Sequence, residues 1–129
     1  MPASADSPFQ YAVLRVVPDV ERGERLNAGV VLFAPTLGFL GARVGLDERR
    51  LAALRPGADA GAIARHLEGL ARIAAGEPGA GPIAALAQSQ RFHWLVAPSS
   101  TVVQPSAVHT GLCDDPAAAL DHLFARLVG

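Results

Sequence analysis

The spacing of hydrophobic positions changes along the chain, and each change marks a different element. In residues 9–17 both alternating sets are apolar: Phe9, Tyr11, Val13 and Val17 on one side, Ala12, Leu14 and Val16 on the other. A strand apolar on both faces belongs in the interior of a sheet, and Pro18 ends it. Residues 27–34 repeat the pattern and stop at Pro35; residues 38–44 form a third strand after a short turn at 35–38. Three strands with short connections predict an antiparallel meander. Arg15 interrupts the first strand's apolar set, and a buried guanidinium there needs a carboxylate or an outlet to an edge.

Helical spacing follows. Asp47 is a candidate N-cap, with Leu46 and Leu51 at the positions of a hydrophobic staple, and Arg55, Pro56 and Gly57 end that helix. Over residues 59–75, Ile63, Leu67, Leu70 and Ala74 make one apolar stripe, flanked by His66, which is expected to be half-buried. Arg65, Glu68 and Arg72 lie opposite, and Glu68 and Arg72 stand in the favourable i,i+4 order. A short helix is expected over 82–90, strands over 92–97 and 101–108, and a final helix opened by Asp115 and Pro116. Pro98 and Pro105 place the later strands at an edge or a bulge. Leu120, Leu123, Phe124 and Leu127 supply the last helix's buried stripe. The fold class is therefore α+β: a three-strand N-terminal meander plus one or two later strands, packed against three to four helices. One domain spans 9–129, preceded by a loose tail at 1–8.

Composition narrows the function classes. The chain has 129 residues, half of them hydrophobic, and a net charge of −1. This balance argues against capture of nucleic acid or an anionic membrane by bulk charge. All 11 cations are Arg, which removes lysine-dependent phosphate loops, Schiff bases and Ser-Lys pairs. The single Cys113 allows no internal disulfide, and neither a signal peptide nor a membrane span is recognisable, so a cytoplasmic location is expected.

The loop over 18–25 draws the most attention. It is eight residues long, five of them charged (Asp19, Glu21, Arg22, Glu24 and Arg25), and it joins two interior strands. Loops on a rigid sheet are favoured places for function. Arg15, Asp19, Arg22, Gly23, Glu24, Asn27, Gly29, Gln104 and His109 form the candidate cluster for gripping a ligand or partner. In the plainer structural alternative, Glu24 or Asp19 pairs with Arg15 and Asn27 closes a turn. Gly23 is expected to supply a positive φ and Gly29 a close backbone approach. Other constellations are thin. A Ser100, His109 and Asp114 or Asp115 triad has no nucleophile elbow, and His109 with Cys113 lacks a second ligand pair, so neither a cofactor nor a metal is expected. Phe33, Phe92 and Trp94 could stack bases but fit core packing better.

The run from Tyr11 to Asp19, followed by Arg22, Gly23, Glu24, Arg25, Leu26, Asn27, Ala28 and Gly29, resembles the opening of domain-of-unknown-function family 3037, small bacterial proteins of this length. Asp114, Asp115, Pro116, Leu120, Leu123, Phe124 and Leu127 resemble its closing segment. The family carries no established activity; the resemblance implies the α+β fold and, through an association with HipA-like kinase genes, a protein partner. The basic residue expected near Pro98 and Ser99 is absent, so phosphate binding is not expected there. A non-enzymatic accessory or regulatory module is thus expected. The alternative is a small enzyme or nucleic-acid-processing domain with Glu24 as acid/base, Arg15 and Arg22 as anion holders and His109 opposite Glu24. Homo-oligomerisation through an open strand edge is a further alternative.

Overall fold

The computed structural model describes residues 7–99 and 101–129. A five-stranded antiparallel sheet forms the middle layer, built from β1 (Ser7–Val16), β2 (Leu26–Ala34), β3 (Phe39–Val44), β4 (Val103–Pro105) and β5 (His109–Cys113). Its order is β3-β2-β1-β4, with β5 also on β1. The meander is as expected, and β1 and β2 are interior, as their two-sided apolar patterns require. β1 starts at Ser7, which pairs with Cys113, so Ser7 and Pro8 belong to the sheet rather than to a tail.

Helices cover both faces. On one, α1 (Glu48–Leu54), α2 (Ala60–Ala75) and α3 (Gln88–Leu95) bury Leu51, Leu67, Phe92 and Leu95 against Ala12, Leu14, Val16, Val31 and Phe33. On the other, α4 (Pro116–Leu127) packs Leu120, Leu123 and Leu127 with Phe9, Val30 and Leu32. The caps expected at Asp47 and Asp115 hold: Asp47 accepts from the Arg49 and Arg50 amides and Asp115 from Ala118, and Asp59 caps α2 as well, accepting from Ala62. Arg43 fastens β3 to α4, donating to Asp121 at 3.0 Å while its guanidinium lies 4.5 Å from the centre of the Phe124 ring.

Residues 82–97 differ from expectation. The 82–90 helix is a single 3₁₀ turn at Ile83–Ala85, and the 92–97 strand is the second half of α3. Phe92, Trp94, Leu95 and Val96 suit a strand by propensity, but tertiary burial decides between the periods. In a strand Phe92 and Trp94 would share a face; two residues apart on a helix they diverge by about 200°. Phe92 is accordingly 1% exposed and stacked 5.2 Å from Phe33, whereas Trp94 is 46% exposed and does not join the core. His66 is likewise exposed, on the rim of a cleft of about 330 Å³ that Trp94 also lines. Glu68 and Arg72 do not reach ion-pair distance; the ion pairs among the described residues are Arg22 with Glu24 and Arg43 with Asp121.

The 101–108 strand is shorter than expected and continues, after an interruption, as β5. β4 and β5 follow one another along the same edge of β1, with pairings Leu14 to Pro105 and Tyr11 to His109. These registers differ by one residue, so the edge is bulged at 106–108, where Ser106 repairs the ladder. Its amide donates to Val13 O at 2.8 Å, and its hydroxyl accepts from the Val13 amide at 2.9 Å.

Candidate functional site

The sheet gathers part of the candidate cluster and disperses the rest. Arg15 pairs with Asn27 across β2 and with Gln104 across β4. Directly opposed residues of an antiparallel pair project to the same face. Asn27, Arg15 and Gln104 therefore form a row across three strands, on the face that carries α4. That helix packs on β2 and β3. Asn27 marks its limit, donating from Nδ2 to Leu127 O at 3.0 Å rather than closing a turn. Arg15 and Gln104 beyond it stay half-exposed. Gln104 spends one amide N–H on Thr101 O at 2.9 Å.

A register shift between Leu14 and Arg15 leaves Ala28 as an extra residue on β2. Such bulges bend a strand and re-aim the side chains beside them. Gly29 is a tight crossing: a Cβ there would lie 3.0 Å from Arg43 O and 3.2 Å from Leu14 Cδ1, as the expected close approach requires.

The 18–25 loop rises from the same end of the sheet. Arg55 holds its base, donating from Nη1 to Pro18 O at 2.6 Å. The Asp19 carboxylate accepts from the Glu21 amide at 3.1 Å, and Asp19 O accepts from the Gly23 amide at 3.1 Å. Gly23 has φ of 72°, the left-handed value expected of it. Arg22 Nε donates to Glu24 Oε1 at 2.6 Å, and this exposed pair consumes the loop's best-placed carboxylate.

Arg15 thus lacks the partner expected for it. No carboxylate of the described residues lies within 4.0 Å of it, and its Nε is buried without a hydrogen bond. Burial first, and the nearby Arg25 second, hold its guanidinium below the usual arginine value. The local Arg22–Glu24 pair wins because closing a two-residue gap costs little chain entropy.

His109 does not join the cluster. It pairs with Tyr11, its ring 5.3 Å from the tyrosine ring. Four residue steps along β1 separate Tyr11 from Arg15, about 13 Å at ~3.3 Å per step. Glu24 lies beyond the Leu26–Val16 pair, roughly 20 Å from His109 along the strand direction. That separation is far outside hydrogen-bond reach and removes the acid/base pairing of Glu24 with His109. The same spacing keeps His109 and Cys113, four residues apart in β5, from sharing a metal. Burial first, then Asp114 and Asp115, push the Cys113 thiol up, which makes it a poor nucleophile. Ser100, the nucleophile of the triad alternative, lies outside the described residues.

The molecule is an α+β protein with one sheet between two helical layers and an unneutralised arginine at the sheet end nearest a charged loop. It belongs to the DUF3037 family, described as protein of unknown function, whose profile matches residues 11–128. No curated protein and no solved structure matched the chain. No helix among the described residues is long and apolar enough to cross a membrane.

Proposed function

We propose that the chain is a non-enzymatic accessory or regulatory module that binds another protein through the 18–25 loop and the adjoining Asn27–Arg15–Gln104 row. A HipA-like kinase is the partner that the family resemblance suggests. The row carries this reading: a half-exposed polar strip across three strands, holding a guanidinium with no internal partner. It sits beside a loop braced at Pro18 and Asp19. A braced surface of this kind loses little entropy on docking. The Glu24 and His109 pairing that acid/base work would need is not formed, since roughly 20 Å of strand direction separates them.

A photo-crosslinking residue placed at Arg22, and separately at Arg49 on α1, tests the reading in cells of the native host. One specific protein adduct from position 22 that position 49 does not give supports it. Identical adducts at both positions, or none at 22, overturn it. Self-association through the β4–β5 edge is a second reading, favoured by the 63% exposure of Leu112. In that case the adduct at 22 is absent, and Leu112→Lys dissociates a dimer seen by sedimentation.

A further inference from the structure

Charge around the loop does not balance locally. Arg15, Arg22 and Arg25 face Asp19, Glu21 and Glu24, yet only Arg22 and Glu24 pair. Asp19 instead turns its carboxylate onto the Glu21 amide. Neither Arg15 nor Arg25 has a carboxylate of the described residues within 4.0 Å. Arg25 directly precedes Leu26, the residue opposite Val16, so the two arginines stand at the same end of the β1–β2 pair, and the charge of Arg25 opposes that of Arg15. A chain with 12 acidic residues against 11 arginines has carboxylates to spare, so leaving two neighbouring guanidiniums bare is a property of this corner and not of the composition.

The geometry at Arg15 sharpens this. Its Nε is buried and unbonded, and it makes no hydrogen bond to any described residue although it remains half-exposed. An arginine carries five N–H donors in a rigid fork shaped for a planar oxyanion. Here the fork stands at a bulge between two amide side chains, each with an N–H already bonded elsewhere. A vacant fork, a second cation beside it and no competing internal acid make a receptor for one anion.

Resting on the binding-module reading above, we propose that Arg15 and Arg25 together receive a carboxylate from an acidic side chain of the partner polypeptide. Three features favour that source over a polyanion such as nucleic acid. Asp19, Glu21 and Glu24 lie in the adjoining loop and would oppose a run of phosphates lying across it, whereas a single carboxylate need not cross the loop. Tyr11, part-exposed farther along the same face, offers its ring to a residue that flanks the acid. Arginine also holds a carboxylate with two parallel hydrogen bonds, which sets the direction of a docking chain.

The test reads the Arg15 Nε–Hε resonance of the full chain by nitrogen-15 NMR, assigned by its loss in Arg15→Gln. The probes, at constant ionic strength in chloride, are acetate, inorganic phosphate, an N-acetylated, C-amidated Leu-Glu-Leu tripeptide and its Leu-Gln-Leu counterpart. Acetate and the Glu tripeptide are expected to shift the Arg15 signal saturably and to leave Arg49 unmoved; the Gln tripeptide should not shift it. Arg25→Gln should weaken the response about two- to fivefold. An Arg15 signal that follows acetate no more than Arg49 overturns the proposal, as does phosphate binding tenfold more tightly than acetate. A response to acetate but not to the Glu tripeptide also overturns it, in favour of a small carboxylate ligand. A position-22 adduct without the NMR response would leave the module standing and remove the carboxylate, so the two failures are separable.

Discussion

Ser106 is the residue on which the bulged edge depends, and replacing it with Ala isolates one hydrogen bond. The hydroxyl accepts from the Val13 amide at 2.9 Å and donates to Ala107 O at 2.8 Å, and the residue is 6% exposed. Alanine removes the acceptor and leaves a backbone N–H of the interior strand β1 without a partner, where water has little access. A buried donor left unsatisfied costs about 1–3 kcal/mol. The Ser106 amide keeps its bond to Val13 O, so the edge stays attached and the effect remains local. A chain of 129 residues unfolds with an entropy of about 0.27 kcal/mol/K, so this range lowers the melting midpoint by roughly 4–11 °C. Calorimetry with urea unfolding measures the loss, and hydrogen exchange should show the Val13 amide opening faster. Ser99→Ala, which removes an exposed hydroxyl bonded to Thr101, is the control and should stay within about 0.5 kcal/mol of the parent. A Ser106→Ala protein as stable as that control, with unchanged Val13 exchange, would refute the account of how β4 and β5 share one edge.

Three further outcomes are expected. Trp94 is the sole tryptophan, so acrylamide should quench the intrinsic fluorescence almost as well as it quenches free indole; strong protection would mean that α3 is rotated or that 92–97 is a strand. Arg15→Met should keep or raise stability in urea unfolding, by up to about 0.5 kcal/mol, because it removes a partly buried cation with no internal partner; a loss above about 1 kcal/mol would reveal an ion pair instead. The folded-state thiol of Cys113 is held above its ordinary value of 9.0, so the unfolded chain releases that proton first as pH rises. The unfolding free energy should therefore be level at neutral pH and decline above about pH 9 relative to Cys113→Ala, levelling off once the folded thiol also ionises. Parallel profiles for the two proteins would show that Cys113 is not desolvated.

The elements that could be read from the chain are those where local preference and tertiary burial agree. β1 and β2 combine β-branched residues with stops at Pro18 and Pro35, and α1 and α4 each announce themselves by an aspartate whose carboxylate caps the first turn. α3 has no such aspartate; Ala87 precedes it, and its first turn is secured by Gln90 Oε1, which accepts from the Ala87 amide. With aromatic and β-branched residues after a weak start, the strand and helix periods were indistinguishable until Phe92 found Phe33. β5 was hidden for another reason. His109, Thr110, Gly111, Leu112 and Cys113 show no alternation, and Gly111 lacks a side chain because the Phe9 ring occupies the space above it. That contact joins residues a hundred positions apart, and no local pattern encodes it.

The candidate site divides along the same line. Gly23 and Gly29 were legible because each answers to backbone geometry, a left-handed φ and a crowded strand crossing. Arg15 was legible only as a problem, a cation inside an apolar strand that had to be neutralised by something. The expected solution, an acid from the adjoining loop, fails because Glu24 is held by Arg22 two residues away and Asp19 by its own turn. What remains is a position where local consistency is broken and nothing within the described chain repairs it. Folded proteins hold few such positions, since each subtracts from a stability margin of only about 5–15 kcal/mol. The proposed binding role accounts for a partly buried guanidinium at a bulge next to a braced loop by having it neutralised from outside. His109, excluded by about 13 Å of strand, instead stacks its ring beside Tyr11 at the middle of β1. On the proposed reading, the functional surface contracts to the end of β1 where Arg15, Asn27, Gln104 and the 18–25 loop meet.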